Sequence, residues 1–195
     1  MAGKSILVFA VLVLAAVSVR ASFTPGRCPV VPVKADFDVA QYLGVWYDIR
    51  SYFTIFQAGV NCSRADYTSL NATHVRVNNT GTKHNKKGEK IAINATGVAY
   101  APNASIPAKL KVKFDNQPNV GDYWVVDTDY SNYAIVWSCK NIASGLFHIS
   151  YSWVLGRNSN GFSPAVEGTI DQLLAKNNID ATLYEEVVQT GCVNY

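Results

Sequence analysis

Side chains suited to chemistry are sparse in this 195-residue chain. Its three histidines, His74, His84 and His148, fall in no metal-ligand or triad spacing. His148 alternates with an apolar strand face and is expected to point away from it. Asp48, Asp66 and Asp127 lie within strand-like runs, yet their spacing does not pair any two as an acid–base couple. Cys28, Cys62, Cys139 and Cys192 are the other candidates, and their separations suit neither a zinc site nor a redox dithiol. In an oxidising compartment four cysteines form two disulfides, by any of three connectivities, and leave no thiol nucleophile. The chain reads as a non-enzyme that binds no metal.

The compartment is read from the N-terminus. Lys4 precedes an apolar run from Ile6 to Val19, and Val19 and Ala21 stand at the −3 and −1 positions of a signal-peptidase site. Residues 1–21 therefore read as a secretory signal, too short to span a bilayer, and residues 22–195 as a single domain. Cleavage removes Lys4 and Arg20 and no acid, taking the net charge from +3 to +1. Secretion gives meaning to the Asn-x-Ser/Thr triplets at Asn61, Asn71, Asn78, Asn94 and Asn103. Each is expected at the surface if it carries a glycan, and Asn61 is compromised by its neighbour, the bridging Cys62. A composition of 49% hydrophobic and 16% charged residues excludes a disordered chain. The lack of a concentrated basic stripe argues against a nucleic-acid partner.

The elements that position these residues are mostly strands. Runs at 43–53, 62–70, 73–79, 89–100, 108–115, 122–128, 132–140 and 147–156 are rich in aromatic and β-branched residues and separated by turn residues. Two show a clean period of two. Leu110, Val112 and Phe114 share one face opposite Lys109, Lys111 and Lys113, and Phe147, Ile149, Tyr151, Trp153 and Leu155 share another. One helix follows, capped by Ser163 with Pro164 in its first turn. Its Val166, Ile170, Leu173 and Leu174 recur at helical spacing, and Asn177-Asn178 ends it. One helix covers little of eight strands, so the sheet must close on itself as a barrel or fold as a sandwich.

Three motifs carry a family resemblance. Gly44-x-Trp46 opens the first strand within DVAQYLGVWY, Thr128-Asp129-Tyr130 marks a turn between strands, and Arg157 closes the last strand in WVLGRN. In this order and spacing they resemble the three signature regions of the lipocalins, and the flanking residues resemble the apolipoprotein D branch with its insect bilin-binding proteins. The resemblance implies an all-β, eight-stranded antiparallel up-and-down calyx barrel with the C-terminal helix packed outside. It implies bridges Cys28–Cys139 and Cys62–Cys192, with Trp46 plugging the closed end under Arg157.

It also implies a ligand pocket lined by Tyr67, Phe114, Tyr123 and Trp153, which Tyr151 and Val112 join by strand alternation. Tyr52, Phe53, Ile55 and Phe56 are expected in the first loop at the open end, covering a ligand or touching a lipid surface. Lys83, His84, Lys86, Lys87 and Lys90 crowd a second mouth loop, as a solvated hairpin or as partners for carboxylates such as bilin propionates. The expected function is a secreted carrier of one small hydrophobic ligand. A biliverdin-type pigment leads, with a fatty acid or sterol as the alternative, and behind them an interaction protein with an empty calyx or an isomerase-type lipocalin. Oligomeric state is left open.

Overall fold

The computed structural model describes residues 23–193, so the segment read as a secretory signal lies outside the described residues. A short β1 (Phe23–Pro25) and a one-turn α1 (Val39–Tyr42) lead into the main sheet. Its first four strands are β2 (Gly44–Tyr52), β3 (Val60–Ser69), β4 (His74–His84) and β5 (Lys90–Tyr100). The next four are β6 (Lys109–Phe114), β7 (Val120–Thr128), β8 (Tyr133–Ile142) and β9 (Phe147–Gly156). The chain then forms α2 (Pro164–Lys176) and β10 (Tyr184–Glu186).

Each strand from β2 to β9 pairs antiparallel with the next, and β9 returns to β2, with Tyr47 opposite Gly156 and Asp48 opposite Leu155. The result is a closed eight-stranded up-and-down barrel, which leaves no free edge along its wall. The tails add two short strands that the sequence did not announce, β1 on β9 and β10 on β2. Three-residue strands of this kind take their order from the sheet they join and carry too little pattern to be read alone.

Two apolar layers follow from the alternation of side chains across the wall. The inner layer includes Trp46, Val77, Ala99, Leu110, Val125, Val136 and Leu155. The outer layer lies beneath α2, where Ile170 and Leu174 meet Tyr52, Val126, Ile135, Trp137 and Val154. The Ser163 hydroxyl accepts from the Val166 N–H and Asn177 caps the far end, as the sequence predicts. Arg50 on β2 reaches Glu167 and Asp171 of α2, both at 3.2 Å.

The disulfides join Cys28 to Cys139 and Cys62 to Cys192, with Cα atoms 5.9 and 5.7 Å apart. They tie both tails to the barrel wall. Bridges closing such long loops stabilise by about 4–5 kcal/mol each in the chain-entropy view. No cysteine is left free among the described residues.

Most strand ends lie within two residues of expectation, with β3 and β7 starting two residues earlier and β8 ending two later, while β4 departs further and β2 changes phase, each for a local reason. β4 runs on to His84 because its ladder with β5 continues through Thr82–Ala92, Lys83–Ile91 and His84–Lys90, and backbone pairing tolerates polar side chains at a solvent end. In β2, a bulge between Asp48 and Arg50 shifts the inside–outside phase. Tyr52, expected in the mouth loop, is the last residue of the strand, and the changed phase turns it outward. It is buried against the edges of Tyr184 and Trp137, and its hydroxyl donates to the Asp180 carbonyl at 2.8 Å. Tyr52 belongs to the barrel–helix core, not the mouth.

Candidate functional site

The closed end is built by the three motifs. Gly44 takes φ +91°, and a Cβ there would sit 3.3 Å from Nη1 of Arg157, so a side chain would be strained and would crowd the guanidinium. Trp46 is fully buried and donates from Nε1 to the Tyr42 carbonyl at 2.8 Å. The Arg157 guanidinium lies 3.8 Å from the centre of its ring. Arg157 also donates to the carbonyls of Tyr130, Val45 and Gln41 at 2.9, 2.9 and 3.0 Å. Asp129 accepts from the backbone N–H groups of Ser131, Asn132 and Tyr133, while the Thr128 hydroxyl donates to the Tyr133 carbonyl. The Tyr130 hydroxyl accepts from the Asp38 N–H at 2.9 Å, which fixes the approach to α1. All these contacts are structural.

Above this plug lies a polar knot that the motifs do not announce. The Tyr123 hydroxyl shares hydrogen bonds with those of Tyr42 and Tyr67, both at 2.8 Å. Burial holds all three phenols above their ordinary range, Tyr67 at about 12, so they stay neutral and serve only as hydrogen-bonding groups. The rings of Tyr42 and Tyr67 stack at 5.6 Å. Tyr67 and Tyr123, expected along a pocket wall, are thus joined with Tyr42 into a hydrogen-bonded layer that forms a floor within the barrel.

Beyond the floor, burial along the inner face decreases. Along β9 the inward side chains run from Leu155 at 6% exposure, through part-buried Trp153 and Tyr151, to Phe147 at 36%. Val112 is buried and Phe114 is part-buried across the barrel, with Phe114 paired in register to Gly97. A Cβ at position 97 would lie 2.5 Å from the Lys113 carbonyl, so only glycine admits β6 so close there. Phe56 leaves the first mouth loop to meet the Tyr151 ring at 5.8 Å, and Tyr151 stacks on Trp153 at 6.2 Å. Phe53, Ile55 and Phe56 are themselves exposed. A ladder of rings therefore leads from solvent into the barrel.

One polar group is held beside that ladder. Asp48 faces inward opposite Leu155 and is 3% exposed. Its Oδ2 accepts from Ser51 Oγ at 3.3 Å and from Gln57 Nε2 at 3.2 Å. Gln57 Oε1 in turn accepts from Trp153 Nε1 at 2.9 Å, so the first mouth loop is anchored inside the barrel. Burial pushes the Asp48 carboxyl up to about 7, against the pull of the Ser51 and Gln57 hydrogen bonds. Alternation from Trp46 puts Asp48 on the inner face, but an apolar pattern does not flag a polar residue, and Gln57 lies in a loop outside any strand.

The basic run divides by register. Lys83 pairs with Ile91 on the inner face at the rim, while Lys86 and Lys87 lie in the turn between β4 and β5. His84 and Lys90 pair on the outer face, where Lys90 donates to the Gly191 carbonyl at 2.8 Å. His84 is thus a strand residue facing away from the interior. Lys140, opposite the inward Ile149, is a second rim cation that the sequence reading missed, and its signal was its even spacing from Val136 along β8. His148 faces outward as expected and is covered by the N-terminal segment, with its Nδ1 2.9 Å from the Gly26 carbonyl. Among the described residues, no cluster of His, Cys, Asp or Glu could hold a metal ion.

Of the glycosylation triplets, Asn71, Asn94 and Asn103 are exposed, whereas Asn61 and Asn78 are part-buried. Asn78 lines a shallow outer cleft of about 380 Å³ with Asp66, Arg76 and Asn94. Asp66 therefore lies on the outer wall, and Asp127 hydrogen-bonds the Tyr133 hydroxyl at 2.8 Å. Neither joins Asp48.

Comparison with known proteins agrees with this geometry. The model of the lipocalin-like domain matches residues 37–172. Apolipoprotein D of Oryctolagus cuniculus is 37% identical over 174 residues, covering 89% of this chain and 88% of that protein. The Lazarillo protein of Schistocerca americana is 34% identical over 187 residues, covering 94% and 84%. Insecticyanin from the tobacco hornworm Manduca sexta superposes with a TM-score of 0.75 at 24% identity, covering 86% of this chain and 88% of its own, a likeness of fold. With a family model spanning its barrel and relatives this similar along most of both chains, the chain belongs to the lipocalins, a family of small-ligand carriers.

Proposed function

We propose that the protein is a secreted carrier that holds one small hydrophobic molecule in the open half of its barrel. The observation that carries this reading is the ring ladder Phe56–Tyr151–Trp153, exposed at Phe56 and part-buried at Tyr151 and Trp153, which lies above the hydrogen-bonded Tyr42, Tyr67 and Tyr123. Apolar and π surface withdrawn from water there contributes about 25 cal/mol per Å² before association costs. The two disulfides support passage through an oxidising compartment.

Within that class the leading ligand is a biliverdin-type linear tetrapyrrole. Flat rings suit the ladder, and the two rim cations Lys83 and Lys140 suit two propionates. The second reading, a fatty acid or sterol, is favoured by the similarity to apolipoprotein D and by exposed Ile55 and Phe56, which would touch a lipid surface. Glycans would occupy exposed Asn71, Asn94 and Asn103. Protein isolated undenatured from its source decides between the ligands. A red-region absorbance band lost on denaturation supports the bilin, and a colourless protein yielding an extractable lipid supports the second reading. A protein that yields no guest and takes up none contradicts both.

A further inference from the structure

The inner wall holds acceptors without donors. Asp48 Oδ1 is buried and has no hydrogen-bond partner, although Oδ2 of the same carboxyl has two. Asn79 Oδ1 is also buried and unpartnered, on the inward register of β4 between Ala65 and Ala95. A buried acceptor left unpaired costs about 1–3 kcal/mol, so such groups are kept where something else supplies the donor. Building on the carrier reading above, we propose that Asp48 is the ligand-recognition residue deep in the calyx. Its Oδ1 accepts from an N–H or O–H of a guest whose flat apolar body lies against Trp153.

The surroundings of the carboxyl favour a donor guest. Among the described residues Asp48 forms no ion pair, and Arg50, two residues on, is turned outward onto Glu167 and Asp171. Arg64 of β3 is on the outer register and donates to Thr80 Oγ1. The titratable groups that feel its charge are Tyr67 of β3 and Tyr184 of β10, both neutral phenols held above their ordinary range by burial. A donor on the guest therefore supplies what the protein withholds. The ring ladder selects for flat apolar surface, the acid selects for a donor set into that surface, and the rim lysines select for carboxylates at the mouth. A wholly apolar guest would leave Oδ1 desolvated and unpaired.

The Asp48 carboxyl titrates at about 7, so recognition through the carboxylate strengthens as pH rises through neutrality. Carbazole and 9-methylcarbazole, the same flat ring system with and without its N–H, separate the possibilities by fluorescence titration. Wild-type protein should bind carbazole at least about tenfold more tightly at pH 8.5 than at pH 5.5, following the ionised fraction of Asp48, and 9-methylcarbazole should show no such gain. Asp48→Asn should flatten the pH dependence. Asp48→Leu, which lacks an acceptor, should bring the two affinities within about twofold. Equal affinities of the two probes for wild-type protein, or a carbazole preference unchanged in both variants, would overturn the Asp48 assignment and leave the carrier reading standing. A folded wild-type protein that binds neither probe at either pH would overturn the carrier reading, and this inference with it.

Discussion

The two ends of the barrel solve opposite problems with similar residues. At the closed end aromatic side chains find every polar partner they need. Trp46 has the Tyr42 carbonyl and the Arg157 guanidinium, and Tyr42, Tyr67 and Tyr123 satisfy one another. Toward the open end aromatic side chains keep part of their surface in solvent, and below them one buried acid keeps an oxygen unpaired. A closed-end residue is held in place by several partners at once, so its loss is felt as stability. An open-end residue has an incomplete set of partners, so its loss is felt in binding. Aromatic content alone does not distinguish a plug from a pocket.

The largest expected effect breaks the floor. Trp46→Ala removes a fully buried indole and the ring beneath Arg157, and should lower the unfolding free energy by about 3–5 kcal/mol in a denaturant titration. The fraction that stays folded should bind guest as wild type does. The next effect sharpens the contrast through pH. Folded Asp48 titrates at about 7 against about 3.9 in an unfolded chain, so the folded state holds the extra proton between those values. Stability from this residue is therefore fully present below about pH 4 and falls as pH rises through 7. Asp48→Asn should remove that fall, making the variant more stable than wild type at pH 8 by on the order of 2–4 kcal/mol. Paired urea titrations at pH 4 and 8 check this.

How much of this was legible beforehand differs between the same two regions. The barrel wall was readable because strands such as 109–114 and 147–155 alternate without interruption, and the helix because Ser163-Pro164 is a start signal. The plug was readable because Trp46, Tyr130 and Arg157 sit in motifs. The pocket was harder. One bulge after Asp48 reversed the phase of β2 and sent Tyr52 beneath α2, while Asp48, inward by alternation from Trp46, and the loop residue Gln57 are polar, so an apolar pattern gives no cue to them. Tyr42 lies on α1, outside any strand run, and only the folded chain brings its hydroxyl to Tyr123. Registers set by bulges and contacts across the barrel are properties of the closed sheet, not of any local window.

Two smaller effects test the open end. Trp153→Ala should cost about 1–2 kcal/mol of stability, since the indole is only part-buried, and should weaken guest binding at least tenfold by fluorescence or calorimetric titration. Equal losses of binding and stability would erase the distinction between the two regions. Phe56→Ala should leave stability within about 0.5 kcal/mol, because that ring is exposed, and should chiefly speed guest dissociation in a stopped-flow experiment.

Native mass spectrometry of protein purified without denaturant from its own source bears most directly on the calyx. The spectrum should show the chain carrying a single small apolar molecule, lost on unfolding, with the emptied protein reloading to one equivalent of biliverdin or dodecanoic acid. A chain that arrives bare, and stays bare when either compound is added in excess, would mean that the barrel interior beside Trp153 holds no guest.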